Sequence, residues 1–190
     1  FGLWFEPEMI SPDSDLYREY PDWAIHIDER EGVQSRNQMV LDLSRNEVCE
    51  YVINAVSNIL ANANIEYVKW DMNRQLTDMP RLGYNHEYTL GYYKIMSAIT
   101  EKFPNILFEG CSSGGGRFDA GVLAYMPQIW TSDNSDAIAR LKMQYSTSMC
   151  YPVYSISSHV TASPNHQCGR VTSLKTRADV AYCGTFGYEL

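Results

Sequence analysis

Two segments end a strand on an aspartate, a place from which a carboxylate can do covalent chemistry. In YVKWDMNR (67 to 74) side chains alternate along the extended chain, so Lys69, Asp71 and Asn73 share one face and Trp70 and Met72 the other. An ammonium two residues from a carboxylate favours the ionised form, which keeps Asp71 available as a nucleophile at neutral pH. Read structurally, the same pair is an ion pair at a strand end. In QIWTSDNSDA (128 to 137) Asp133 closes another strand. Asp136 falls at a helix start, where the helix dipole favours any carboxylate. Asp133 is therefore the candidate for facing a ligand, with a helix N-cap as its ordinary alternative. Glycosidic bond cleavage needs two carboxylates on separate strands of one pocket, one attacking the anomeric carbon and the other protonating the leaving oxygen. About two βα units of roughly 30 residues each separate this pair along the chain.

Other residues are suited to holding a ligand. The loop CSSGGGR (111 to 117) follows a strand, and its three glycines let a backbone come close to a bound molecule. With Arg117 as counter-charge it also reads as a phosphate cradle, although the G-x-x-x-x-G-K-[ST] frame is missing. A plain turn before the helical stretch FDAGVLAYM is a third reading. Trp4 shares a strand face with Glu6 and Glu8, where its ring would stack on the apolar face of a sugar or sit in a core. Arg36 carries a forked donor set suited to hydroxyl groups, a solvated surface position being the commoner use. His159 reads as structural; no second ligand stands at i+4, so no metal site is expected.

These groups need a scaffold to bring them together. Apolar, β-rich runs recur at 1 to 6, 38 to 43, 65 to 71, 105 to 111, 128 to 133, 153 to 157 and in AYCGTFGYEL at the end. Between them lie helical patterns over 45 to 62, 86 to 102, 134 to 149 and 171 to 180. In the first of these Val48, Val52, Val56, Ile59 and Leu60 repeat at helical spacing behind Ser44 as a plausible N-cap. Alternation of this kind predicts an α/β fold with a parallel sheet, either doubly wound or a (β/α)8 TIM barrel. The barrel is favoured because Glu6, Glu8, Asp71, Asn73, Cys111 to Ser113, Asp133 and His159 all fall at or just past strand C-termini, which converge on one mouth in that fold. No internal boundary is evident, so residues 1 to 190 read as one partial catalytic domain.

Composition narrows the class. The chain has 190 residues, 45% of them hydrophobic, with 15 basic against 23 acidic residues for a net charge of −8. That is enough to bury a core, and nucleic acid is excluded as a natural partner. No apolar run approaches the roughly 20 residues that cross a bilayer. The opening FGLWFEPEM has neither a basic n-region nor a small-residue cleavage site, so no membrane anchor or signal peptide is expected. Both ends fall within strand-like runs, as in a segment of a longer chain. The five cysteines are odd in number and lack a C-x-x-C pair, which points away from a disulfide framework or zinc cluster and toward a reducing, cytoplasmic setting.

WFEPEM (4 to 9), SRNQMVLDLSR (35 to 45), KWDMNR (69 to 74), CSSGGGRFD (111 to 119), WTSDNSDA (130 to 137), SHVTASPNHQ (158 to 167) and the closing GTFGYEL, taken in this order, resemble the α-galactosidases of glycoside hydrolase family 36. The resemblance implies a (β/α)8 barrel and retaining double displacement on terminal α-linked galactose in oligosaccharides such as melibiose and raffinose. Neither cofactor nor metal is implied. It also implies that Asp71 is the nucleophile and Asp133 the acid/base, and that Trp4, Arg36, Lys69, Cys111 and Gly114 contact the sugar. Members of that family are longer, with a β-sandwich before the barrel and a small β-domain after it. The first barrel strands, and an acidic pair that grips galactose hydroxyls, are accordingly expected outside this segment, which would be incomplete alone; a homo-oligomeric full-length enzyme is compatible with the family. Three alternatives stay open: a related α-galactosyl transferase using the same aspartates, a phosphosugar aldolase or isomerase barrel with Lys69 as Schiff base, and a carbohydrate-binding module without catalysis.

Overall fold

The computed structural model describes residues 1–189. It has an α/β element order and two compact units, the first Phe1–Leu107 and the second beginning at Phe108. Leu190, the last residue of the expected final strand, lies outside the described residues.

In the first unit β1 (Gly2–Phe5) and β4 (Tyr67–Trp70) pair in parallel, with Trp4 opposite Lys69 and Phe5 opposite Trp70. The pairing ends with the Asp71 N–H donating to the Phe5 carbonyl at 2.8 Å. Two helices cover this pair. On α2 (Asn46–Ala61) Val48, Val52, Val56 and Leu60 are buried, each worth about 1.5–3 kcal/mol for a large aliphatic. Ile59, expected on the same stripe, is exposed. On α3 (Tyr84–Lys102) the tyrosines at 84, 88 and 92 are buried and their spacing puts them on one face. Tyr84 donates to Asp42 Oδ1 at 2.8 Å and Tyr88 to Glu8 Oε2 at 2.6 Å. The other oxygen of the fully buried Glu8 accepts from Trp70 Nε1 at 2.8 Å. These three tyrosines are thus core, with the Tyr84 and Tyr88 hydroxyls satisfied as burial requires.

Two sequence expectations are corrected here. The run QMVLDL is not a parallel strand: only β3 (Met39–Val40) forms, antiparallel to the equally short β2 (Met9–Ile10). Asp42 stops it, its Oδ1 accepting both the N–H and the hydroxyl of Ser44 in a turn that leads into α2. With its hydroxyl so engaged, Ser44 does not cap the helix; Arg45 occupies the N-cap and makes no side-chain capping bond. A short helix, α1 (Asp15–Glu19), is capped by Ser14.

In the second unit β5 (Leu107–Gly110), β6 (Gln128–Trp130), β7 (Ile156–Thr161) and β8 (Thr185–Glu189) lie parallel in that order. Glu109, fully buried, accepts from Gln128 Nε2 and Ser157 Oγ, both at 2.8 Å, tying three adjacent strands through polar side chains. The helices are α4 (Ala137–Ser148) and α5 (Leu174–Ala181), capped by Asp136 and Ser173. The stretch FDAGVLAYM forms only a 3-10 turn, Val122–Ala124, because the Asp119 carboxylate takes the N–H groups of Gly121 and Val122 locally. VYSIS begins as another 3-10 turn, Val153–Ser155, so the strand starts at Ile156 and His159 lies within it, not past its end.

Candidate active site

Asp71 stands one residue beyond β4, 6% exposed, at the point where the parallel ladder stops. Its Oδ2 accepts from Asn73 Nδ2 at 2.7 Å and from the indole Nε1 of Trp4 at 3.1 Å, and its Oδ1 from the Met72 N–H at 2.8 Å. Accepting from donors on both oxygens suits an ionised, acceptor-only carboxylate. Trp4 keeps 51% of its surface exposed although its N–H is spent on Asp71, which leaves a ring face open for stacking. Lys69 is half-buried on β4 two residues earlier.

One donor to this carboxylate, Asn73, is held in turn by Glu6. Glu6 Oε1 takes the backbone N–H of Asn73 at 3.0 Å, and Oε2 takes Gln38 Nε2 at 3.2 Å. Arg36 Nη1 lies 3.8 Å from Oε1, the arginine side chain 57% exposed and the glutamate 9%. Arg36 sits at the tip of a two-residue turn closed by reciprocal bonds between Ser35 and Gln38 at 3.1 and 3.0 Å. Both tip residues, Arg36 and Asn37, are left-handed at φ 56° and 59°, the conformation such a turn demands.

Asp133 follows β6 and is exposed. Its Oδ1 accepts from Trp130 Nε1 at 3.1 Å, and among the described residues this is the single donor to its carboxyl. It is not the helix N-cap: Asp136 is, its Oδ2 accepting from the Ala139 N–H at 3.0 Å. The backbone on either side is held fast. Gln167 donates to the Asp133 carbonyl and accepts from the Ser135 N–H, and Arg140 donates to the Ser132 carbonyl at 3.1 Å. The Arg140 guanidinium lies 4.6 Å from the Trp130 ring centroid, with the His159 ring 4.6 Å away from it as well. Burial pulls the Arg140 guanidinium down to about 10, the nearby carboxylates of Glu109 and Glu189 opposing, so it remains a cation at neutral pH.

The glycine loop braces the same segment. Gly114 is left-handed at φ 84°, and a Cβ on it would lie 2.8 Å from Ser132 Cα; a Cβ on Gly115 would meet the Thr131 carbonyl at 2.6 Å. What these glycines allow is close approach of two backbones, one of them carrying Asp133. The loop also consumes donors internally, with Ser112 N–H to the Gly114 carbonyl, Gly116 N–H to Ser112 and Phe118 N–H to Gly115. Cys111, at the head of the loop, is buried.

The melibiase family model matches residues 1–190, the whole chain. The chain belongs to the melibiase family. This melibiase-family chain is similar to α-galactosidase AgaA of Geobacillus stearothermophilus, 57% identical over 198 residues that cover 100% of the chain and 27% of that enzyme. It is also similar to the bifunctional α-galactosidase/sucrose kinase AgaSK of Mediterraneibacter gnavus, 55% identical over 190 residues, 100% of the chain and 20% of that protein. It therefore spans 27% or less of these curated relatives. The crystal structure of AgaA superposes with a TM-score of 0.96 over 100% of the chain and 28% of its own. Substituted forms of AgaA solved in complex with raffinose and with stachyose give the same TM-score and coverage at 56% identity.

Sequence reasoning placed Asp71 and Asn73 at a strand end and Trp4 on a strand face with Glu6 and Glu8, and the first unit brings Trp4 and Asn73 into hydrogen-bonding contact with Asp71. It missed Trp130, Gln167 and Arg140 as supports for Asp133. The signal for Trp130 was present: a tryptophan three residues ahead of an aspartate across a strand end can turn its N–H back onto the carboxyl. Gln167 carries no such signal, being brought to Asp133 only by tertiary folding.

Proposed function

We propose that the full-length protein is a retaining α-galactosidase that releases terminal α-linked galactose from oligosaccharides of the raffinose and melibiose kind, in a (β/α)8 barrel of which this chain is part. Asp71 attacks the anomeric carbon while Asp133, neutral, hands its proton to the departing glycosidic oxygen. Water then adds to the galactosyl-Asp71 ester, losing a proton to Asp133 and restoring both carboxyls. Trp4, Arg36, Lys69, Cys111 and Gly114 are assigned to the sugar. One observation carries the reading: the Asp71 carboxyl is oriented at a strand end by donors from Trp4, Met72 and Asn73. The raffinose and stachyose complexes of the similar AgaA support the substrate class.

Azide tests the two roles separately in the full-length enzyme. Asp133→Ala, lacking the proton donor, should form a glycosyl-enzyme only from activated aryl α-galactosides and should yield α-galactosyl azide when azide is added. Asp71→Ala should yield the β-azide, and Asp71→Asn should lose turnover by orders of magnitude. Exchange of the two azide anomers would reverse the assignment, and near-normal turnover in Asp71→Asn would remove Asp71 from the chemistry.

A further inference from the structure

We propose that Glu6 is a positioning residue for the nucleophile, holding the Asn73 backbone so that the Asn73 amide stays on Asp71 while also drawing in the turn that carries Arg36. What Asp71 does chemically rests on the α-galactosidase reading; the positioning claim is geometric. The β1–β4 ladder ends at Phe5 and Trp70, and the Asp71 N–H makes one more bond, to the Phe5 carbonyl. Asn73 lies three residues past the end of β4. Glu6 takes over, one residue past β1, its Oε1 accepting the Asn73 N–H at 3.0 Å. Asn73 Nδ2 then reaches Asp71 Oδ2 at 2.7 Å. Every partner of the Glu6 carboxyl is a donor: the Asn73 N–H, Gln38 Nε2 and, at longer range, Arg36 Nη1. Gln38 shows the strength of this demand. Its amide turns its NH2 to Glu6 although this leaves its own Oε1 buried without a hydrogen-bond partner. The turn closed by Ser35 and Gln38 carries Arg36 beside the same carboxyl.

The test compares Glu6→Leu, Glu6→Gln, Asn73→Ala and the Glu6→Leu/Asn73→Ala double variant in the full-length enzyme. Turnover is expressed per active site, counted with a fluorinated galactoside that traps the glycosyl-enzyme, so that a loss of folded protein does not register. Glu6→Leu should lower kcat roughly 100-fold, the penalty of misplacing a reacting group by about 1 Å. Glu6→Gln should recover to within about tenfold of the wild type, because its carbonyl still accepts from Asn73 and the Gln38 amide can turn to take its NH2. The double variant should match the kcat of Asn73→Ala within about twofold, since Glu6 and Asn73 act on the nucleophile through one contact, while the loss of the Glu6 contact to the Arg36 turn should raise KM in both Glu6→Leu forms. A Glu6→Leu enzyme with wild-type kcat per site, or losses that multiply in the double variant, would overturn the proposal. A crystal structure of Glu6→Leu decides the geometry without reference to activity: the Asn73 amide should leave Asp71, and an unmoved amide would count against Glu6. A wild-type enzyme inert toward α-galactosides would instead sink the functional reading, and that structure would still rule on Glu6.

Discussion

The two proposed catalytic carboxyls are held by different means. Asp71 is nearly buried and accepts from Trp4, Met72 and Asn73, whereas Asp133 is exposed and accepts from the Trp130 indole N–H. The first arrangement keeps one orientation of a charged group. The second leaves Asp133 Oδ2 open, as a group that must both give and take a proton requires. Because little holds the Asp133 side chain itself, its position depends on its backbone, and Gly114 packs directly on that backbone. Gly114→Ala would force a methyl to 2.8 Å from Ser132 Cα at a left-handed φ of 84°. It should destabilise the enzyme by about 2 kcal/mol or more and lower kcat/KM by roughly 100-fold through displacement of Asp133. Thermal unfolding and steady-state kinetics on an aryl α-galactoside check both; unchanged kinetics would mean the loop yields without moving Asp133.

Among the elements, α3 sets the tightest tolerance. Gly91 in its interior faces the turn before α2, where a Cβ would lie 1.8 Å from the Leu43 carbonyl oxygen. The neighbouring Cys49 of α2 lies 3.2 Å from that same oxygen. Helix propensity alone favours alanine over glycine by about 1 kcal/mol, yet the overlap with backbone atoms decides the sign. Gly91→Ala should destabilise the fold by about 3 kcal/mol or more, since neither α3 nor the turn can move without opening the Tyr84 and Tyr88 bonds. Denaturant unfolding would test this, and a stabilised variant would show that α3 slides freely.

At the scale of the molecule, each compact unit carries one buried cysteine, Cys49 in the first and Cys111 in the second, beside the exposed Cys150, Cys168 and Cys183. Burial pushes the Cys49 thiol up from its ordinary 9.0. It therefore holds its proton in the folded state at pH values where the unfolded chain would release it, so this group's contribution to stability is intact below pH 9.0 and falls as pH rises above it. Thiolate is the species that reacts with alkylating agents. Cys49 and Cys111 should resist iodoacetamide at neutral pH until denaturant opens their units, read by mass spectrometry of labelled peptides. Rapid labelling of Cys49 in native protein would mean that the α2–α3 packing opens readily.

The sequence by itself determined the α/β class, the apolar stripes of the long helices and the strand-end aspartates, because these depend on short-range periodicity. Val48, Val52, Val56 and Leu60 are legible as one face of a helix whatever lies beneath them. Ile59 was misjudged because a stripe's edge is set by what packs against it. Only the tertiary structure decided that QMVLDL is a brief antiparallel contact, that Asp136 and not Asp133 caps α4, and that the triple glycine serves a backbone contact beside Asp133. It alone set Glu6 against Asn73, 67 positions away in the chain, and Gln167 against Asp133. Such pairings leave no local trace: a side chain's type shows that it will seek a partner, and the path of the folded backbone chooses which one.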